Sequence, residues 1–294
     1  MSTLTMTRSH QQGRLRSFSL SLVARHSSPL LALPAELIIE IITLALIESK
    51  ANALATICKD ITCLFNTILY RTVSLSSTRP VSLFYQASRS NPSLVTYIRH
   101  FTVSGNAVLD AKGWGRVWEI ISRAKGLLSL SLKEGYQAPS LASILADPSR
   151  DSLSAVTIQR FDAHSASVGP ACVAPITHLR ICEPSDQWHS PSDILSSFGS
   201  LPALTHLQLC RRMNGNEEND ATFVEEVVSI LRDRPRLRML VVTVFPQTWA
   251  GEEGVDDSDI WSLLKEVADE RLVVKKGGYG LWLKDDAWAS TYVS

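Results

Sequence analysis

One apolar pattern recurs along most of the sequence, and its spacing constrains the fold more than any other feature. Positions 1, 4 and 6 of the pattern are apolar, as in Leu127-x-x-Leu130-x-Leu132. The sixth position falls at residues 75, 103, 132, 158, 181, 209, 242 and 274, with 23 to 33 residues from one copy to the next. This spacing accommodates one strand and one helix per copy. Such repeats bury their apolar side chains only against their neighbours, so the sequence predicts an α/β solenoid with a curved parallel sheet.

The segments between the predicted strands carry helical spacing or turn residues. We expect Asp193 and Ser258 at the N-caps of two helices and Pro235 just beyond the end of a third. The glycine-rich segment Gly277–Gly280 predicts a turn between Leu272–Val274 and Leu281–Leu283. The segments predicted to hold this helical or loop material include Val81–Ser88, Trp114–Ala124, Ser140–Ala146, Asp193–Phe198, Phe223–Arg232 and Ile260–Asp269.

Positions 3, 5 and 7 of each predicted strand alternate with the apolar anchors and therefore lie on the opposite face of the sheet. Stacked copies align these positions in rows, and such a face is the usual binding surface of a repeat protein. We predict that it binds a target protein, although polar strand residues are also common where nothing binds. The candidate target-binding residues are His100, Lys133, Gln159, His178, Arg180, His206 and Gln208.

Two copies carry histidine and cysteine at matching positions, which makes a metal site the alternative. His178, Cys182, His206 and Cys210 are ligand types that zinc prefers. The matching positions already follow from the repeat itself, so we favour surface residues over metal ligands. The sequence contains no GxSxG, P-loop, HExxH or strand-linked GxGxxG motif. We therefore predict no catalytic activity, no metal and no cofactor.

Charge and composition exclude several classes of protein. The chain has 29 Lys and Arg residues against 29 Asp and Glu residues, which argues against a nucleic-acid partner. The longest apolar stretch, Leu37 to Ile47, is about half the ~20 residues of a spanning helix, so we predict no membrane partner. The 5 cysteines are irregularly spaced, which is typical of a reducing compartment and predicts a cytoplasmic or nuclear protein.

The first 29 residues differ from the rest in composition. They contain Arg8, Arg14, Arg16 and Arg25, many serines and threonines, and no acidic residue. We predict a disordered basic tail over residues 1–29. Transit peptides have the same composition, so a mitochondrial location is the alternative.

A short helical unit follows, over residues 30–76. Pro34 suits the first turn of a helix, and a wide apolar stripe begins at Leu37. A second apolar stripe runs from Leu54 to Leu69. A unit of about forty residues buries too little apolar surface to be stable by itself, which indicates that a partner covers it.

Three phrases of this unit carry a family resemblance. They are Leu33-Pro34-Ala35-Glu36-Leu37, Ile57-Cys58-Lys59 and Leu69-Tyr70-Arg71-Thr72-Val73-Ser74-Leu75. In this order they resemble an F-box, and the chain is similar to F-box proteins of the fungal type, in which irregular leucine-rich repeats follow. The resemblance implies a short all-α F-box unit over residues 30–76 and a leucine-rich-repeat-like solenoid over residues 77–294.

The resemblance also implies a function. Proteins of this kind are non-catalytic substrate receptors of Skp–cullin–F-box ubiquitin ligases, in which the F-box docks on the Skp adaptor, the adaptor links it to a cullin, and the repeats bind a target protein. The alternative function is a solenoid scaffold for protein–protein interaction without a ubiquitin-ligase role. Ile41 and Leu69 suit adaptor binding and helix packing equally well. The residues expected to contact the adaptor are Leu33, Pro34, Leu37, Ile41, Ile57, Cys58, Leu69 and Tyr70.

Overall fold

The structure, a computed structural model, describes residues 33–48, 65–104, 109–162, 175–215, 218–247 and 254–283. Contacts divide the chain into two compact units, Met1–Ala51 and Asn52–Ser294. The predicted basic tail and most of the second predicted apolar stripe lie outside the described residues. The predicted F-box range, residues 30–76, spans the division between the two units.

The described part of the first unit is one helix, α1 (Ala35–Glu48). It begins directly after Pro34, whose carbonyl oxygen accepts hydrogen bonds from the amides of Leu37 and Ile38 at 3.1 and 3.2 Å. Proline suits this place because the first amides of a helix have no partner within the helix, so its missing N–H costs nothing.

The described part of the second unit consists of strands and of helices that connect most of them. Its strands are β1 (Thr72–Leu75), β2 (His100–Val103), β3 (Ser129–Leu132), β4 (Ala155–Arg160), β5 (His178–Glu183), β6 (His206–Arg212), β7 (Met239–Phe245) and β8 (Leu272–Lys276). The helices whose bounds are described are α2 (Thr78–Ser90), α3 (Ala111–Arg123), α4 (Ala138–Leu145), α5 (Pro191–Ser197), α6 (Glu218–Asp233) and α7 (Asp259–Glu266), with a 3₁₀-helix at Pro92–Tyr97. Residues 65–69 are also helical. Among the described helices, none is long and apolar enough to cross a membrane.

All eight strands form one parallel sheet, in which they follow their order in the sequence. The chain is therefore α/β, as predicted, and the fourth and sixth positions of every copy lie in a strand, whereas position 1 lies just before it. Residues at the same repeat position pair across the sheet, for example Leu75 with Val103 and Leu132 with Ile158. The repeat spacing alone thus predicts the strand order and the register.

The apolar anchors explain this register. At positions 1, 4 and 6 of the copies from Ile98 to Val242, every side chain is at most 2 % exposed. A shift of one residue would turn a strand's anchors to the other face. Because burial of each anchor contributes about 1.5–3 kcal/mol to the stability of the fold, such a shift is strongly unfavourable. The backbone ladder begins at position 2, where the Thr177 carbonyl oxygen accepts the amides of Thr205 and His206 at 2.9 and 3.0 Å.

Each of the six segments predicted to be helical or loop holds a helix, which begins one to five residues before the predicted start of the segment. Their first turns are largely polar and carry no apolar period. The expectation of Asp193 at an N-cap is wrong, because Ser190 caps α5 and its hydroxyl accepts the amide of Asp193 at 3.1 Å. Ser258 does stand at the N-cap of α7, and Pro235 follows the end of α6.

Arginine side chains join the helix end of one repeat to the next repeat. Arg150 donates to the carbonyl oxygen of Ala124 at 3.2 Å and to that of Ile121, both at the end of α3. Arg271 donates to the Leu231 carbonyl oxygen, near the end of α6, at 2.8 Å. The last carbonyls of a helix have no partner within the helix, so these guanidinium groups satisfy them and complement the helix dipole.

We predict that Arg150→Ala lowers the free energy of unfolding by about 2–4 kcal/mol, because two helix-end carbonyls lose a charged donor and a buried volume is left empty. Urea unfolding followed by circular dichroism measures the loss. Lys125→Ala is the matched control, since Lys125 and Arg150 both pair with Asp147 but the Lys125 side chain is 53 % exposed. We expect the control to cost less than about 1 kcal/mol. Equal losses would contradict the role of Arg150.

Candidate functional site

The predicted target-binding face is called here the outward face, defined as positions 3, 5 and 7 of each repeat. Strand pairing aligns its residues in rows. Position 3 forms the row His100, Ser129, Ala155, His178, His206 and Met239. Position 5 forms the row Thr102, Ser131, Thr157, Arg180, Gln208 and Val241.

Exposure divides the outward face into two parts. The open part consists of positions 3 and 5 of β2 to β5 together with His206, and all of these residues are half-buried. The covered part consists of Gln208, Met239, Val241 and Thr243 on β6 and β7, which are buried. Lys133 and Cys182, at position 7 of their repeats, are buried as well. Two candidate residues therefore offer almost no surface to a target, since Lys133 is 4 % exposed and Gln208 1 %. The half-buried candidates are His100, Gln159, His178, Arg180 and His206.

Two histidines form a stack in the open part. The ring centroids of His178 and His206 are 4.3 Å apart, and the ring planes differ by 6°. The Thr177 hydroxyl lies 2.8 Å from Nδ1 of His178, and the Thr205 hydroxyl lies 2.8 Å from Nδ1 of His206. The copied Thr-His pair therefore builds the same hydrogen bond in adjacent strands, which orients both rings alike.

The histidines of the outward face favour their neutral forms. Burial lowers the pKa of His100, His178 and His206 below the ordinary histidine value. The positive charge of Arg71 lowers the pKa of His100 further, and those of His178 and Arg238 lower the pKa of His206. Two neutral rings stack without charge repulsion, so the stack and the lowered pKa values agree.

A chain of hydrogen bonds joins the open part to the covered part. Arg180 Nε donates to Gln208 Oε1 at 2.7 Å, and Gln208 Nε2 donates to Thr243 Oγ1 at 3.1 Å. The buried Gln208 amide is thereby satisfied on both sides, as a buried polar group must be. Gln208 links β5, β6 and β7 and has a structural role in this arrangement.

Glu183 is the residue of this region that the sequence prediction missed. It is fully buried, and its carboxylate accepts Gln159 Nε2 at 3.1 Å and lies 3.4 Å from Arg160 Nε. Arg160 in turn lies 3.1 Å from Glu134. By strand alternation, position 8 belongs to the face of the apolar anchors, so the repeat predicts no carboxylate there. The sequence signal that could have revealed Glu183 is that Arg160 and Glu183, which have opposite charges, both stand at position 8 of neighbouring repeats and so pair across the sheet.

The alternative metal site is contradicted by the geometry. Within the described ranges, no three His, Cys, Asp or Glu groups are placed to hold a metal ion. His178 and Cys182 are four residues apart in one strand, about 13 Å, so one ion cannot bind both. Burial raises the pKa of the Cys210 thiol well above its ordinary value, which makes it a poor ligand and a poor nucleophile.

The predicted adaptor-binding residues of α1 and of the turn before it are exposed. Ile41 is 42 % exposed and Leu44, which was not predicted, is 59 % exposed. Together with Leu37 they follow one another at three- and four-residue steps and form one stripe of the helix, called here the apolar stripe. Leu33 and Pro34 are exposed just before the helix. Aligned, exposed aliphatic side chains are typical of a surface that a partner covers.

The other predicted adaptor-binding residues have different surroundings. Leu69 is exposed, whereas Tyr70 is half-buried and its ring packs 5.9 Å from the ring of Phe84. Tyr70 therefore contributes to the core of the second unit. Ile57 and Cys58 lie outside the described residues.

No protein-family model matches the chain, and no curated protein matches it. The F-box resemblance thus rests on the three phrases of the sequence and stays a prediction.

We predict that the protein loses stability as the pH falls from about 7.5 to about 5. The unfolded chain binds protons at the ordinary histidine pKa, whereas His100, His178 and His206 bind them only at lower pH in the folded chain. Each proton taken up by the unfolded state alone lowers the free energy of unfolding. Urea unfolding at several pH values measures this loss.

The variant His206→Gln removes one of these titrating groups. We expect it to lose less stability than the wild type over the same pH range, whatever its stability at neutral pH. An equal or larger loss in the variant would contradict a contribution of His206.

Proposed function

We propose that the protein is a non-catalytic substrate receptor of a Skp–cullin–F-box ubiquitin ligase. In this proposal the F-box unit, residues 30–76, docks on a Skp-type adaptor, which links it to a cullin. The eight-stranded parallel sheet and its helices are the leucine-rich-repeat-like solenoid that binds a target protein. The observation that carries the proposal is the apolar stripe of α1, which follows directly on Leu33 and Pro34.

The apolar stripe supports a protein partner on energetic grounds. Each aliphatic side chain that moves from water into an interface contributes on the order of 1 kcal/mol or more. Ile38 and Ile42, on the neighbouring side of the helix, are already buried, so the stripe is a second apolar surface of the same helix. A helix that presents anchors at three- and four-residue steps fits an apolar groove on a partner.

The open part of the outward face supports a target that is recognised mainly by hydrogen bonds. Its residues are small and polar around the histidine stack, and Arg180 brings its positive charge. A receptor of this kind works in the cytoplasm or the nucleus, which agrees with the irregular cysteines. The alternative is a scaffold for protein–protein interaction without a ubiquitin-ligase role. The sheet suits either function, but only the receptor binds a Skp-type adaptor.

We predict that the purified chain binds a Skp-type adaptor and that Ile41→Asp weakens this binding at least about tenfold, because a charge then enters the apolar interface. Isothermal titration calorimetry measures the affinity. Ile39→Asp is the matched control: it makes the same chemical change in the same helix, at a side chain 36 % exposed on the opposite side from the apolar stripe. We expect the control to stay within about twofold of the wild type.

The double variant Leu33→Asp, Pro34→Ala tests the two residues that precede α1, and we expect it to lose adaptor binding in the same assay. The proposal fails if the wild type does not bind the adaptor, or if both Ile41→Asp and the double variant bind as well as the wild type. The first result would favour the scaffold.

A second prediction concerns the target. Affinity capture under proteasome inhibition, followed by mass spectrometry, should recover adaptor, cullin and target together. Thr157→Arg, in the centre of the open part, should lose the target and keep the adaptor, because a large charged side chain blocks that face. Ser122→Arg is the control, since Ser122 is exposed on helix α3 and its hydroxyl bonds only within that helix. A target that both variants retain would contradict binding at the open part.

A further inference from the structure

After β8 the chain turns back across the sheet. The amide of Gly277 donates to the Val244 carbonyl oxygen at 2.8 Å, which continues the pairing with β7. The amide of Gly280 then donates to Oε1 of Glu183, in β5, at 2.9 Å. Strand β5 is two places from β7 in the sheet, about 10 Å away, and three extended residues reach that far. Residues 277–283, called here the strap, therefore cross the carboxyl end of β6.

The residues of the strap fit the surface that they cross. A Cβ atom on Gly277 would lie 2.5 Å from the ring of Phe245, so only glycine allows this approach. The Tyr279 ring packs on the same Phe245 ring with centroids 5.0 Å apart, and its hydroxyl donates to the Pro246 carbonyl oxygen at 3.1 Å. Gly280 has a φ of 76°, which favours glycine. The segment predicted as a simple turn is thus shaped to lie against β7.

The strap also completes the surroundings of a buried charge. The Glu183 carboxylate is fully buried and has three neighbours that compensate it: Gln159 Nε2, the Arg160 guanidinium and the amide of Gly280. A buried carboxylate is costly unless donors surround it. The bond from Gly280 therefore holds the strap more firmly than a contact at an exposed site would.

The position of the strap agrees with the covered part of the outward face. Phe245, at position 9, points to the same side of β7 as the outward face by strand alternation, and Thr243, two residues before it, is buried. The half-buried open part lies on β2 to β5 and at His206, the first residue of β6, whereas the strap contacts the last residues of β5 and β7.

We propose that the strap is an intramolecular ligand of the carboxyl edge of the sheet, which closes the ends of β5 to β7 and confines a target to the open part. The confinement of a target rests on the proposed function, whereas the closure by the strap does not.

Amide hydrogen exchange of the full chain, followed by mass spectrometry, tests the closure. In the wild type, we expect slow exchange in peptides that cover residues 277–283. Glu183→Ala should raise this exchange rate about tenfold, because the strap loses its charged acceptor. Glu134→Ala is the matched control: Glu134 pairs with the same Arg160 but receives no bond from the strap, so the rate should stay within about twofold of the wild type.

Exchange in β3 reports whether a variant has kept its sheet. If Glu183→Ala also accelerates amide exchange in β3, the sheet itself has loosened, and Tyr279→Ala becomes the decisive variant. Tyr279→Ala changes only a side chain of the strap, so it should accelerate amide exchange in residues 277–283 alone. The proposal is overturned if the wild-type strap exchanges as fast as an unstructured peptide. It is also overturned if Glu183→Ala and Glu134→Ala have equal effects, or if Tyr279→Ala leaves the strap's exchange unchanged. The experiment uses neither adaptor nor target, so its outcome is independent of adaptor binding.

Discussion

The burial of three apolar anchors per repeat is the interaction on which the rest of this structure depends. The anchors at positions 1, 4 and 6 are almost completely buried in every complete copy, and they hold each strand in register with the next. Because side chains of a strand alternate, the same constraint decides which residues form the outward face. The Thr-His copies then become neighbours, and His178 stacks on His206. A surface feature thus follows directly from core packing.

Charged side chains add to the apolar core by forming hydrogen bonds with unpaired main-chain groups. A parallel sheet with helices leaves unpaired carbonyls at every helix end, and Arg150 and Arg271 satisfy several of them from the following repeat. At the carboxyl end of the sheet, Glu183 plays the corresponding part for the strap. In both places a charged group that is buried or half-buried binds main-chain atoms that are distant in the sequence, which joins separate segments of the chain.

The sequence predicted the strands better than it predicted the helix boundaries or the exposure of side chains. The strands carry both the anchor spacing and the alternation, which are two independent signals. Helix starts are polar, so that Ser190 rather than Asp193 caps α5. Lys133 and Gln208 were expected to be available to a target because strand alternation puts them on the outward face. The alternation of side chains along a strand predicts on which face each side chain lies, but it does not predict whether other parts of the chain cover that face.

For this chain, the sequence by itself determined the α/β class, the number and order of the strands, their register and the rows of the outward face. These properties follow from the spacing of the apolar anchors, which recurs in every repeat. Only the tertiary structure decided that α1 keeps an exposed apolar stripe, that Tyr70 belongs to the core, and that Glu183 receives the strap. The contact between Gly280 and Glu183 joins residues 97 positions apart. A contact of that span leaves no periodic trace in the sequence, because it depends on how the whole sheet brings the two residues together.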